Sequence, residues 1–332
     1  MLRIIGNKIY ENDREVLLRG VNRAGLEWDA NDRLILDSIR YAADEWKANI
    51  IRLPVSQDRW FGYMKEQTGE TAAEDYRKKV DAIISALAER GKYLLLDLHW
   101  SDLGTWGEHS GQHMMPDENS IVFWRDAANR YKNHPNVLFG VYNEPHIDGD
   151  WGRSPWDIWK NGGTLAETDK SGKRTEYRAV GMQELVDVIR AEGAKNIAVV
   201  GGLDWGYTLN GPAEGYDISD PDGNGIMLDS HVYPWKRLEW DLDVSVSAGL
   251  HPILIGECGH YGNDAKPVEG AQCLPSEEWV PRLLDWIDSH GYHLTAWDFH
   301  PKAGPCLIRS FDNEPTEYYG AYVRDFLRGH NR

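Results

Sequence analysis

Short apolar runs alternate with amphipathic stretches of helical period along the chain. The apolar runs fall at 16–22, 49–53, 93–99, 137–145, 196–201, 225–231, 252–257 and 293–298. Several are continuous rather than alternating, which suits parallel strands covered on both faces. Between them the spacing predicts helices over about 31–47, 74–90, 119–132 and 176–192, with a last one over about 314–329. Gly91 stands where the second of these should stop. Ahead of the first strand, residues 3–10 read as a hairpin, with a turn at 11–14.

Strand and helix repeating in this way imply βαβ units. Eight units in 332 residues fit a single closed (β/α)8 barrel spanning 1–332. The hairpin would close its bottom, and long βα loops would cover its C-terminal face. The fifth unit is the weak point, because 202–224 carries Gly, Pro, Asp and Asn but no helical pattern. An open doubly wound sheet is the competing architecture. It would need a Gly-rich phosphate turn after the first strand, and residues 20–25 lack one.

Composition narrows the partners. Against 53 Asp and Glu there are 36 Lys and Arg, a formal net charge of −17. That excludes a nucleic-acid backbone or an anionic membrane surface as the natural partner. It also disfavours acidic glycans. No apolar run approaches the roughly 20 residues of a membrane span. Cys258, Cys273 and Cys306 show no metal-ligand spacing, and a local disulfide between two of them stays open.

In a barrel of this kind the chemistry sits at the C-terminal strand ends. Those ends supply Asn22, Arg52, His99, Asn143, Glu144, His231, Tyr233, Glu257 and Trp297. Glu144 and Glu257 would face each other across the mouth. Two carboxylates flanking a bond are what glycoside hydrolysis requires. Of fifteen Trp, ten fall at strand ends or in the following loops: Trp28, Trp60, Trp100, Trp106, Trp151, Trp156, Trp159, Trp205, Trp235 and Trp297. Flat aromatic faces match the C–H face of a sugar ring. Trp46, Trp124, Trp240, Trp279 and Trp286 lie in helical patterns and read as core.

At Asn143-Glu144-Pro145 and Ile255-Gly256-Glu257 the chain resembles glycoside hydrolase family 5, the cellulase family. The likeness runs from Leu18-Arg19-Gly20-Val21-Asn22 to Trp297. It implies a (β/α)8 barrel, retention of anomeric configuration and no cofactor. By position, it makes Glu144 the acid/base and Glu257 the nucleophile. Asn143 would hold a 2-hydroxyl, Arg52 would keep Glu257 ionised, and Tyr233 would orient it. His99 and His231 would surround the reaction centre, with Trp297 as the sugar platform and Trp28, Trp100, Trp205 and Trp235 as further contacts. To serve as acid, Glu144 should have its pKa raised by burial and by the Glu257 charge.

The expected activity is that of an endo-β-1,4-glucanase on cellulose-type chains, with a polysaccharide as the only partner implied. A β-mannanase, a xyloglucanase or xylanase, an exo-acting β-glucosidase and a non-catalytic glycan-binding barrel are the alternatives. A polymer substrate implies a secreted or periplasmic protein. The start of the chain shows no signal peptide, so a removed leader and a cytoplasmic location both stay open. His109 and His113 lie in a Gly-containing loop and make a poor metal pair, so no metal is expected. Asp220-x-Asp222-x-Asn224-Gly225 imitates half of an EF-hand but lacks the closing Glu, leaving at most an incidental calcium site.

Overall fold

The computed structural model describes residues 1–27, 32–101, 112–168, 172–262 and 273–331. Three short antiparallel strands open the chain: β1 (Leu2–Ile5), β2 (Lys8–Glu11) and β3 (Arg14–Glu15). Four barrel strands follow: β4 (Arg19–Asn22), β5 (Ile50–Ser56), β6 (Tyr93–Trp100) and β7 (Val137–Gly140). A hairpin intervenes, β8 (Gly163–Thr168) with β9 (Arg174–Ala179). The barrel then closes through β10 (Ala198–Gly201), β11 (Ile226–Val232), β12 (Ile253–Cys258) and β13 (His293–Ala296). All eight barrel strands are parallel to their neighbours, and β13 pairs back onto β4.

The helices are α1 (Asp32–Asp44), α2 (Gln57–Trp60), α3 (Ala72–Ala88), α4 (Glu118–Tyr131), α5 (Pro155–Asn161), α6 (Met182–Ala191), α7 (Trp240–Asp243), α8 (Ser276–His290) and α9 (Gly320–His330). Their boundaries follow local chemistry. Asp117 caps α4 by accepting the Ser120 N–H at 3.0 Å. Gly91, with φ +63°, turns the chain away after α3. As the sequence foretold, the fifth unit has no proper helix among its described residues, only one wide turn at Pro212–Tyr216.

Two expectations are corrected. The helix placed over 176–192 begins only at Met182, because residues 174–179 form β9 and pair with β8. Arg174-Thr175-Glu176-Tyr177-Arg178 alternates in the way an exposed strand does, and the charges resembled a helix face. The N-terminal hairpin gains a third strand, and its first turn lies at residues 6–7.

Inside the lower barrel, Leu18, Ile50, Leu95, Leu138, Val199, Met227 and Leu254 form one buried cluster. Leu2, Ile9 and Val16 of the N-terminal segment join it, so that segment does plug the bottom. A second, larger core lies between the barrel and the helices. The half EF-hand is committed to the protein itself. Arg190 of α6 donates to both Asp220 oxygens, at 2.7 and 2.9 Å, and Asp220 also accepts the Gly225 N–H.

This pair is buried on both sides. Removing one partner leaves an uncompensated charge, which typically costs about 3–5 kcal/mol. Asp220→Ala is therefore expected to lower the free energy of unfolding in urea by that order. An unchanged denaturation midpoint would show that the pair holds nothing together.

Candidate active site

The site is built on the upper, inward-facing positions of the barrel. In a strand, residues two apart share a face. Arg52 stands two beyond the core residue Ile50, Asp97 two beyond Leu95, and Asp229 two beyond Met227. The same step leads from Asp97 to His99, and from Asp229 to His231 and Tyr233. Room for the two aspartates comes from glycines across the interstrand gap. A Cβ at Gly140 would meet Asp97 Oδ1 at 3.2 Å, and one at Gly256 would meet Asp229 Oδ1 at 2.1 Å.

Arg52 is the hub. Its Nη1 donates to Glu257 Oε1 at 2.7 Å and to Asn22 Oδ1 at 2.9 Å. Its Nη2 donates to Asn143 Oδ1 at 2.7 Å and lies 3.0 Å from Asp97 Oδ2. Asn22 in turn donates to the carbonyls of Gly256 and Thr295. Tyr233 completes the hold on Glu257 by donating to Oε2 at 2.7 Å. Burial works against the Asp97 charge, yet the Arg52 cation and the His99 hydrogen bond hold its pKa below the ordinary value. His99 Nδ1 meets Asp97 Oδ2 at 2.8 Å.

Glu144 occupies a different setting. Its backbone has φ +46°, a left-handed conformation that costs a non-glycine residue energy. Its Oε1 lies 3.1 Å from His231 Nδ1, and that nitrogen is 3.5 Å from Glu257 Oε2. His231 Nε2 faces Asp229 Oδ2 at 3.4 Å. Burial alone would lower the His231 pKa, but the Glu257, Asp229 and Glu144 carboxylates outweigh it and push it up to about 10. Burial alone would raise Glu144, but the His231 contact outweighs that and brings it below its ordinary value.

The expected upward shift of Glu144 is thus corrected. The neighbouring His231, its own pKa raised by Glu257 and Asp229, outweighs burial. One ligand-type atom each of Glu144, His231 and Glu257 lies within 4.8 Å of the others.

All nine strand-end residues named from the sequence meet here, from Asn22 to Trp297. The Trp297 ring stacks on His99 with centroids 5.5 Å apart, and Trp100 meets His99 edge-on at 4.7 Å. Trp205 lies flat on His146 at 3.5 Å and stays 43% exposed. Trp235 stacks on Tyr233 at 4.6 Å and extends toward Tyr261. Trp28, Trp106 and His109 lie outside the described residues.

Trp60, Trp156 and Trp159 do not belong to the rim. They are buried in the outer core, where Trp60 Nε1 donates to Asp126 and Trp159 Nε1 to the Gly201 carbonyl. Asp97, Asp229, Gln112 and His146 were missed as site residues. For the two aspartates the signal was present, a lone carboxylate two residues before a strand-end histidine. Nothing local marks Gln112 or His146.

A family model described as cellulase, glycosyl hydrolase family 5, matches residues 9–303. The chain belongs to this family. It is accordingly a glycoside hydrolase. An endoglucanase from Paenibacillus polymyxa is 24% identical over 90% of this chain and 79% of its own length. Endoglucanase MaCel5A from Microbulbifer sp. is 24% identical over 98% of this chain, which spans 58% of that protein. Several other endoglucanase relatives are likewise longer, the chain spanning about half to two thirds of them. Among solved structures, a β-glucanase from Saccharophagus degradans superposes with a TM-score of 0.77 at 23% identity, covering 100% of this chain and 94% of that one. The same β-glucanase has also been solved in complex with cellotetraose.

Arg52→Met strands the buried Asp97 carboxylate. It should destabilise the fold by about 3–5 kcal/mol at neutral pH. Asp97 has a depressed pKa in the folded state, so the stability that Arg52 lends it is present above about 3.8, its ordinary value, and is lost as pH falls through the folded value. Urea unfolding at pH 7 and near pH 3 should show the deficit shrinking on the acid side. An equal deficit at both would mean that only packing was lost.

Proposed function

We propose that the protein is a retaining, endo-acting β-glycanase, and specifically an endo-β-1,4-glucanase on cellulose-type chains. The observation that carries this reading is the unequal pair Glu144 and Glu257. Their oxygens approach within 4.8 Å. A retaining pair stands about 5–5.5 Å apart and an inverting pair about 6.5–9.5 Å. The spacing lies on the retaining side of that division and supports direct attack by one carboxylate.

The two environments divide the labour. Arg52 and Tyr233 fix both Glu257 oxygens, as suits a nucleophile that attacks the anomeric carbon and becomes an ester. Glu144 shares a proton with His231. In the first step that proton goes to the glycosidic oxygen as the bond to the anomeric carbon breaks. In the second, Glu144 takes a proton from water, which attacks the glycosyl ester and frees Glu257. Asn143, fixed by Arg52, offers its Nδ2 toward a sugar hydroxyl.

Aromatic residues support a long glucan substrate. Trp100, Trp205, Trp235, Tyr261 and Trp297 stand at or after five different barrel strands, enough for several sugar units. The likeness to endoglucanases and the cellotetraose bound by a structural neighbour agree with that choice. A polymer of this kind is met outside the cytoplasm, so we also place the protein in the secreted or periplasmic fraction, where its activity should be recovered from the native host.

Reducing-sugar release from carboxymethylcellulose, barley β-glucan, mannan, xyloglucan and xylan tests the substrate. The wild type should cut the first two, and Glu257→Gln should cut none. Glu144→Ala should spare first-step rates on substrates with good leaving groups and slow the second step. Monosaccharide released only from chain ends would overturn endo action, and near wild-type rates in both variants would overturn the assignment.

The pH profile gives an independent check. The reaction needs the proton held between His231 and Glu144, and that proton is lost as pH rises. Asp229→Asn removes one carboxylate that retains it. The alkaline limb of kcat/KM should move down by about one unit or more, the usual effect of losing an opposite charge at this range. An unmoved limb would mean that the essential proton resides elsewhere.

A further inference from the structure

The β8–β9 hairpin is an insertion between β7 and α6, and it packs on residues 112–117, the segment beside the catalytic loop. Glu167 of β8 makes the main contact. Its Oε2 lies 2.8 Å from His113 Nδ1, and its Oε1 accepts the Met114 N–H at 2.6 Å. Tyr177 of β9 stacks flat on the His113 ring, with centroids 3.9 Å apart, and its hydroxyl accepts the Met115 N–H at 3.2 Å. The Val180 N–H donates to the Pro116 carbonyl. Burial would raise the Glu167 pKa, but His113 outweighs this and keeps the carboxylate charged.

The same segment grips the acid/base loop from the other side. Gln112 Oε1 accepts from Asn143 Nδ2 at 3.2 Å. Gln112 Nε2 donates to the Asn143 carbonyl at 3.2 Å and approaches the Glu144 carbonyl at 3.4 Å. The His146 N–H donates to the Met114 carbonyl at 2.9 Å, and His146 Nδ1 lies 3.0 Å from the Glu144 carbonyl. The left-handed turn at Glu144 is thus braced at its own carbonyl by two side chains, one in the segment held by the hairpin and one bonded to it.

We propose that the hairpin is a strap that positions Glu144, and that Glu167 is the positioning residue that locks it, acting through His113, Met114 and Gln112. This rests on Glu144 being the acid/base. The hydrogen bonds of Glu167 go to His113 and to the Met114 N–H rather than to Glu144 or Glu257. Its removal should let Gln112 and the Glu144 turn relax, misaligning the proton donor while leaving Glu257, Arg52 and Tyr233 in place. Such a defect falls on one step. It matters when the leaving group needs a proton and little when it does not.

The test uses aryl β-cellobiosides, with 2,4-dinitrophenol as the good leaving group and phenol as the poor one. Glu167→Ala should lower kcat/KM on the phenyl substrate by about tenfold or more, the scale expected for a misplaced catalytic group. On the dinitrophenyl substrate it should stay within about threefold. Glu167→Gln, which keeps the shape and loses the charge, should show the same selectivity in milder form and carries the test if the alanine variant does not fold. Equal losses on both substrates, or no loss on either, would overturn the strap. Glu144→Ala is measured in the same series. If it lacks leaving-group selectivity, the acid/base reading itself fails. If it shows selectivity and the Glu167 variants do not, only the present inference fails.

Discussion

A guanidinium buried to 1% exposure at the mouth of the barrel sets the terms for everything around it. Arg52 cannot give up its charge, and its N–H groups need oxygen partners. Those partners come from β4, β6, β12 and the segment after β7, as Asn22, Asp97, Glu257 and Asn143. One side chain thereby joins much of the ring. Binding Arg52 and fixing Glu257 are the same interaction, so the stability of the upper barrel and the alignment of Glu257 cannot be separated.

The charges near this hub do not cancel by simple pairing. Four carboxylates (Asp97, Glu144, Asp229 and Glu257) stand close to two groups that carry positive charge, Arg52 and His231. A buried excess of negative charge retains a proton, and His231 is where it settles. That places the proton on a ring whose Nδ1 lies 3.1 Å from a Glu144 oxygen. The glycines that face Asp97 and Asp229 belong to the same device. A side chain at Gly256 would occupy the place of the Asp229 carboxylate that faces His231, and one at Gly140 would press on Asp97, the partner of Arg52.

Much of this was legible in the sequence because barrel strands are written twice, once as apolar runs and once by the polar residue that ends them. The pattern placed all eight strands, and their ends named the residues that meet at the mouth, from Asn22 to Trp297. What escaped notice depends on contacts that cross the chain. Trp60, Trp156 and Trp159 follow strands as rim residues would, but the outer helices cover them. Residues 174–179 carry helix-like charges, yet their partner β8 makes them a strand. The Glu144 pKa was expected to follow burial and Glu257, and it follows His231, whose own pKa is raised by Glu257 and by Asp229 in its own strand. Gln112 lies 31 residues before Asn143 and carries no motif.

The division between floor and loops explains why an insertion can matter to chemistry. Regular pairing in β7 stops at Gly140. The next residues still borrow ladder-like bonds, Val141 N–H to the Val199 carbonyl and Asn143 N–H to the Leu98 carbonyl. Glu144 lies one step beyond that support, in a conformation its own backbone disfavours. A residue in such a state stays put only if its surroundings over-determine it. The barrel has no further strand to offer there, and the constraint comes from Gln112, at the head of the 112–117 segment, and from His146, which is bonded to that segment. That segment in turn is pinned by whatever packs outside it, and in this chain it is β8–β9 that does so. Glu257 is set by the fold, whereas Glu144 is set by a loop and by the hairpin that packs on that loop.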